Sequence, residues 1–280
     1  VKFKKVAIIG VGLIGGSLGL AIKKRQLAHL VVGIGRRNSS IRAAKRCGAI
    51  DVGTKDLKKG VSDADLVIIA TPVCSIPGIF KTITGNLKKG ALLTDVGSTK
   101  AQVVEAIERH LPEGISFVGS HPLAGSEKRG VTFADGNLFK GTILIMTRAK
   151  KTKAHSIKTL TRFWKSLGVA RISIKSPEEH DRIVAEISHL PHLVATALIN
   201  SVSNKSIKFA STGFKDTTRI AAGDPEIWKD ICVTNKRQIL KSLDRYERSL
   251  SRLKALIKKA KAERLRREFA KSKRIREKLS

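Results

Sequence analysis

The run Val6-Ala-Ile-Ile9 is apolar at every position and breaks directly into Gly10-x-Gly12-x-x-Gly15, after which the pattern becomes helical. A strand that is apolar on both sides belongs inside a sheet covered by helices on two faces, so this opening restricts the fold at once. Gly10 permits a tight turn, Gly12 lets a backbone approach a pyrophosphate, and Gly15 lets the helix lie close to the strand, while the helix N-terminus favours negative charge. The helix runs to about Gln26, and a second apolar strand, Leu30-Val-Val-Gly-Ile34, follows at the distance a βαβ unit requires. The unit reads as a dinucleotide cradle, with Gly10, Gly12, Leu13, Ile14 and Gly15 at the cofactor. Lys2, Lys4 and Lys5 before an apolar run also resemble a secretory leader. The glycine content, the lack of a convincing cleavage site and the strand that follows favour a mature fold instead.

The alternation continues through residues 66–70, 91–95, 114–119, 144–146 and 169–174, each a strand signal, with helix-compatible segments between them, including 157–167. This predicts an α/β domain, a Rossmann-type doubly wound sheet, over residues 1–175. At Ser176-Pro177-Glu178-Glu179 the pattern changes: Ser176 is a plausible N-cap with Glu179 three residues on, and Pro177 suits the first helical position. An all-helical C-terminal domain is expected over 176–280. Its first helix carries Ile183, Val184, Ile187, Leu190, Val194 and Leu198 on one side, more than a surface helix needs, which predicts burial in the core of a homodimer. Pro191 inside that helix would cost about 3 kcal/mol and calls for a packing or functional reason.

With 280 residues, 41% of them hydrophobic, the chain can bury a sizeable core. Cys47, Cys74 and Cys232 show no ligand spacing, which points to reduced thiols, a cytoplasmic location and no zinc. An uninterrupted apolar stretch of membrane-spanning length is not expected, nor is a membrane partner. The net charge of +32 raises the question of nucleic acid. Basic residues thicken after Lys236, but they alternate with Leu240, Leu243, Leu250, Leu253, Ile257 and Leu265 at helical spacing, as solvated faces beside an apolar stripe. Aromatic residues make up only 4% of the chain, so a base-stacking platform is lacking and weak, non-specific binding is the expectation.

Ligands of an open α/β sheet bind beyond the carboxyl ends of its strands, so the residues after each strand are the candidates. Thr71 and Pro72 could line the cofactor. In Asp95-Val-Gly97-Ser98-Thr-Lys100, Gly97 would allow an unusual turn that places the Ser98 hydroxyl and the Lys100 amine at the rim; a helix N-cap is the alternative role for Ser98. His121 follows a strand, is held by Pro122 and shares its loop with Ser126 and Glu127, which suits proton transfer near neutrality. His189 and His192 flank Pro191, without further ligands to complete a metal site. Arg219 could clamp a carboxylate bidentately or pair with Asp216 one helical turn away. After the second strand comes Gly35-Arg36-Arg37-Asn38-Ser39-Ser40, where an NAD site usually offers an acid. Arg36, Arg37 and Ser39 therefore favour the 2′-phosphate of NADP, with NAD the alternative.

Together, the segments Gly10-Val-Gly-Leu-Ile-Gly-Gly-Ser-Leu, Ala70-Thr-Pro-Val, Asp95-Val-Gly-Ser-Thr-Lys, His121-Pro-Leu-Ala-Gly-Ser-Glu, Ser188-His-Leu-Pro-His and Phe214-Lys-Asp-Thr-Thr-Arg-Ile-Ala resemble the prephenate/arogenate dehydrogenase family. The resemblance spans nearly the whole chain, with the motifs in order. It implies a nucleotide-binding domain, a helical dimerisation domain, and oxidative decarboxylation of prephenate or arogenate on the route to tyrosine. It further implies that His121 accepts the proton of the ring C4 hydroxyl and that Ser98 orients that hydroxyl, His121 and the nicotinamide. Arg219 would hold a substrate carboxylate and His192 would be a second pocket histidine, with Lys215, Ser126 and Glu127 also at the substrate. Glu127 would favour the ammonium of arogenate if it faces that side chain. No regulatory domain is expected after the basic helices. A related two-domain reductase or β-hydroxyacid dehydrogenase would leave His121 and the 188–192 motif unexplained, and intact Ser98, His121, His192 and Arg219 argue against a non-enzymatic basic binding module.

Overall fold

Strand β1 (Phe3–Ile9) sends Val6 and Ile8 into one apolar layer and Ala7 and Ile9 into another, and all four are buried. That is why the run carries no polar alternation: both faces of the sheet are covered. In the computed structural model, which describes residues 2–125 and 128–279, β1 is followed by β2 (Ala28–Ile34), β3 (Val52–Thr54), β4 (Leu66–Ile69), β5 (Leu92–Asp95), β6 (Ser116–Pro122), β7 (Ile143–Thr147) and β8 (Arg171–Lys175). They form one sheet in the order β3-β2-β1-β4-β5-β6-β7-β8, parallel from β3 to β6, with β7 antiparallel to β6 and β8 parallel to β7. The expected doubly wound sheet is present.

Helices α1 (Leu13–Lys24), α2 (Asn38–Arg46), α3 (Leu57–Val61), α4 (Ile76–Ile83), α5 (Ala101–His110) and α6 (Ala154–Ser166) cover the sheet. Leu18 and Ile22 of α1 join Leu160, Phe163 and Trp164 of α6 in the layer with Val6 and Ile8. Phe80 and Ile83 of α4 join Val103 and Ile107 of α5 in the layer with Ala7 and Ile9. Beyond β8 the described structure is helical: α7 (Pro177–Val184), α8 (Leu190–Ser201), α9 (Asn204–Ile207), α10 (Thr212–Thr218), α11 (Pro225–Thr234), α12 (Lys236–Lys258) and α13 (Ala262–Glu277). Ser176 caps α7 by accepting from the backbone N–H of Glu179 at 3.1 Å, with Pro177 in the first turn. The chain divides into two compact units, Val1–Lys236 and Arg237–Ser280. In the second unit, Leu253, Leu256 and Leu265 are half-buried and Arg252 of α12 pairs with Glu268 of α13 at 3.2 Å, whereas Leu250 and Ile257 remain exposed.

The structure departs from several expectations. The strand predicted over 114–119 is displaced to Ser116–Pro122, because the chain leaves its parallel partner β5 after Gly119 and pairs antiparallel with β7 from Ser120 to Pro122. His121 therefore stands in the strand, opposite Ile145, rather than after it. Pro191 does lie inside a continuous helical rod, Pro177–Ser201, and the packing reason it called for is a π-helical turn, Ala185–His189, immediately before α8. The rod Pro177–Ser201 is long and apolar enough to cross a membrane by length and composition, but Glu178, Glu179, Asp181, Arg182 and Glu186 interrupt its apolar run. Its apolar side is also less buried than expected: Val184 is covered, Leu190, Val194 and Leu198 are half-buried, and Ile187 is 60% exposed.

Candidate active site

The strand order reverses between β1 and β4, and there the two strand ends touch. A Cβ at Gly10, whose φ is +97°, would lie 2.4 Å from the Ala70 carbonyl oxygen, and one at Gly15 would lie 1.9 Å from the carbonyl oxygen of Gly10. Close backbone packing enforces both glycines. Gly12 differs, because open space surrounds the position of its Cβ. It is the N-cap of α1, whose end has no side-chain cap and no acidic residue in its first turn, and Leu13 and Ile14 begin that turn half-buried. Uncapped N–H groups at a helix N-terminus, a bare glycine and a topological switch point fit a dinucleotide pyrophosphate. Thr71 stands on the β4 side, its methyl 2.9 Å from a Cβ on Gly10, and its hydroxyl accepts from Ser75 Oγ at 2.9 Å; Pro72 caps the short turn Val73–Ser75. At the end of β2, Arg36, Arg37 and Ser39 are exposed, with Arg37 the N-cap of α2 and no acid in that helix's first turn.

Lys100 is not at the rim. It is fully buried, with Nζ donating to Asp95 Oδ2 at 2.8 Å and to the Gly97 carbonyl at 2.5 Å. Gly97 is needed for proximity rather than for an unusual turn, since a Cβ would sit 2.8 Å from Asp95 Oδ2, an oxygen that also accepts from the Gly97 N–H. Burial pushes the Asp95 carboxyl upward, and the Lys100 ammonium opposes that shift. Ser98 is half-buried between β5 and α5 and is not the N-cap, a position held by Lys100.

The N-terminus of α5 is instead capped from α7. Asp181 Oδ1 accepts from the Lys100 N–H at 2.7 Å and Oδ2 from the Ala101 N–H at 2.9 Å. Oδ1 also lies 2.8 Å from His180 Nδ1, and His180 Nε2 lies 2.9 Å from His121 Nδ1. Burial, then the neighbouring His180, Lys100 and His189, hold the His121 imidazole well below its ordinary range. His180 is lowered likewise by burial and by Lys100 and His189. Burial raises Asp181 against the opposing pull of the Ala101 and Lys100 amides. Both imidazoles are therefore neutral near pH 7.

A second group of rings adjoins the first. His192 of α8 stacks on Trp228 of α11, with centroids 3.4 Å apart at 11°, and His189 meets the same indole edge-on. Gly223 allows this approach, since a Cβ would fall 2.3 Å from Trp228 Nε1. Asn235 joins the two groups, its Nδ2 bonding the Asp181 carbonyl at 2.8 Å and His189 Nδ1 at 3.2 Å. Among the described residues, His189 Nε2 and His192 Nδ1 are buried without a hydrogen-bond partner. Lys215 is exposed on α10, and Arg219 is exposed where α10 passes into the turn Arg219–Ala222 that packs on α8. Ser126 and Glu127 lie outside the described residues. Sequence reasoning missed the roles of His180, Asp181, Trp228 and Asn235. Only the pairing of an acid and a histidine beside a capped helix start hinted at the first two.

Residues 18–173 match the family described as "Prephenate dehydrogenase, nucleotide-binding domain", and residues 176–271 match "Prephenate dehydrogenase, dimerization domain". The chain belongs to the prephenate dehydrogenase family. Within it, the chain is 36% identical over 271 residues to the prephenate dehydrogenase of Bacillus subtilis, covering 94% of this chain and 73% of that one. The structure of A. aeolicus prephenate dehydrogenase in complex with hydroxyphenyl propionate and NAD+ superposes with a TM-score of 0.93 at 34% identity, covering 100% and 99% of the two chains. Synechocystis arogenate dehydrogenase superposes at 0.84 and 30% identity, covering 99% and 100%. A nicotinamide dinucleotide is thus the cofactor class of the family to which this Rossmann-type domain belongs.

Proposed function

We propose that this protein catalyses the oxidative decarboxylation of prephenate or arogenate, with His121 as the base that takes the proton from the ring C4 hydroxyl. The observation that carries this reading is the half-buried, neutral His121 near the end of β6, backed by His180 and Asp181 within a chain of this family. When bound, the nicotinamide supplies the hydride acceptor. Removing the hydroxyl proton drives electron density toward C4, and departure of the ring carboxylate as CO2 completes an aromatic ring, so the side chains chiefly position and polarise. Ser98 would orient the hydroxyl and His121. Arg219, with Lys215, would hold a substrate carboxylate. His192, kept flat against Trp228, would be the second histidine of the substrate pocket. Ser126 and Glu127 are retained as substrate-pocket candidates from the motif alone.

The proposed cofactor is NADP, read from exposed Arg36, Arg37 and Ser39 where an acid would favour the ribose hydroxyls of NAD. Gly10, Gly12, Leu13, Ile14, Gly15, Thr71 and Pro72 would hold its dinucleotide portion. The proposed division places the nucleotide-binding domain at 1–175 and the helical domain at 176–280. Two copies would pair through the helical domain, where exposed Ile187 and half-buried Leu190, Val194 and Leu198 need a cover. A cytoplasmic location suits the free thiols of Cys47, Cys74 and Cys232. The test is His121→Asn: turnover should fall at least about a thousandfold while cofactor affinity stays within twofold. Unchanged turnover would remove His121 from the mechanism.

A further inference from the structure

The line from His121 through His180 to Asp181 has a direction that its atoms impose. Asp181 receives two backbone amides from the start of α5, one on each carboxylate oxygen. Amide donors on both oxygens, at the positive end of a helix, select the ionised carboxylate, and a carboxylate can only accept. The His180 Nδ1 facing it at 2.8 Å must therefore carry a proton, which leaves His180 Nε2 as an acceptor. His121 Nδ1, 2.9 Å from that acceptor, must then be the donor. One tautomer of His121 satisfies the whole line: proton on Nδ1, lone pair on Nε2.

We propose that His180 and Asp181 are positioning residues that set the tautomer of His121, keeping Nε2 basic and stabilising the imidazolium when it takes up the substrate proton. The inference rests on the reading of His121 as the base. No proton has to leave the line. Once Nε2 is protonated, the Nδ1–H of His121 bonds His180 Nε2 more strongly, and the Nδ1–H of His180 bonds the carboxylate more strongly. The other ionisable groups around the line are Lys100 and Asp95 between β5 and α5, His189 in the π turn and His192 on α8. Lys100 is neutralised by Asp95, and His189 and His192 are held neutral by burial, so Asp181 is the negative end toward which the line is oriented.

The decisive variants change which atom accepts and where the charge sits without emptying the site. A glutamine at 180 can place its carbonyl where His180 Nε2 stands and still accept from His121, whereas an asparagine reaches only the position of Nδ1. Asp181→Asn keeps its carbonyl toward the Lys100 N–H and His180 Nδ1, because one oxygen accepts from both, but it removes the charge that would stabilise the His121 imidazolium. Against wild type, His180→Gln should keep kcat within about tenfold, His180→Asn should lose about a hundredfold or more, and Asp181→Asn should lose about tenfold or more through the missing charge. Substrate KM and cofactor affinity should stay within twofold throughout. Nitrogen-15 NMR of histidine-labelled protein should show His121 protonated on Nδ1 in wild type and in His180→Gln, and no longer fixed on Nδ1 in His180→Asn, a readout independent of turnover. Equal losses in His180→Gln and His180→Asn, or a His121 proton on Nε2 in wild type, would overturn the proposal. The predicted NMR shifts in a protein inert toward prephenate and arogenate would uphold the tautomer assignment and overturn the reading of function.

Discussion

Lys100→Met isolates the buried ion pair beneath the site. Both Lys100 and Asp95 have side chains at 0% exposure, and the variant keeps most of the apolar stem while deleting the ammonium. Asp95 would retain the N–H groups of Gly97 at 2.8 Å and Ser120 at 3.4 Å, but no opposing charge. Breaking such a pair from one side costs about 3–5 kcal/mol, because the remaining charge stays desolvated. For a unit the size of Val1–Lys236 that corresponds to a fall in Tm of about 6–20 °C. Urea unfolding followed by circular dichroism at pH 7 measures the loss. The pH dependence gives a second check. Burial already raises Asp95, and without the ammonium its folded-state pKa would stand further above the unfolded value, so the folded protein would bind more protons and regain stability as pH falls. The deficit should therefore shrink from pH 7 toward pH 5, and Asp95→Leu with Lys100→Met should be less destabilised than Lys100→Met alone. A loss below about 1 kcal/mol, or a deficit that grows on acidification, would refute the buried-pair argument.

Arg219→Gln should raise the substrate KM about tenfold or more with kcat within threefold, as expected for loss of a charge-assisted hydrogen bond; an unchanged KM would return Arg219 to a structural role. His189, 1% exposed, is lowered to about 4, chiefly by burial, from an ordinary value near 6.5. The unfolded chain therefore binds more protons between those values. Stability from this residue is full above about pH 6.5 and falls by about 3 kcal/mol as pH drops to about 4. His189→Asn should flatten that slope in urea unfolding at constant ionic strength, and an identical slope would contradict the assignment. Replacing Arg36 and Arg37 by serine should weaken NADP binding more than tenfold and leave NAD binding within threefold, measured by isothermal titration; equal NADP affinity would place the phosphate contact elsewhere.

Much of the fold was legible because short-range physics wrote it. The glycine loop follows a strand whose two faces are both buried, so Val6–Ile9 could carry neither alternation nor polarity, and Ser176 and Pro177 mark a helix start by local hydrogen bonding. The limits fell where distant partners decide. The end of β6 depends on β7 pairing with Ser120–Pro122, and nothing near His121 announces a change from parallel to antiparallel neighbours. Lys100 looks like a surface residue until Asp95, five residues earlier, is seen to face it inside the protein. His180 and Asp181 carry an ordinary helical sequence, and their significance comes from contacts with β6 and α5 that lie 59 and 81 residues away along the chain. Pro191 signalled that the helix was unusual, but the accommodating device, a π turn, has no comparable sequence marker.

The most direct test of the account is the absorbance of reduced nicotinamide formed by purified protein in four mixtures, pairing prephenate or arogenate with NADP or NAD. The account predicts cofactor reduction in at least one mixture, faster with NADP and accompanied by one CO2 per reduced cofactor. Folded protein that reduces neither cofactor with either substrate would contradict it.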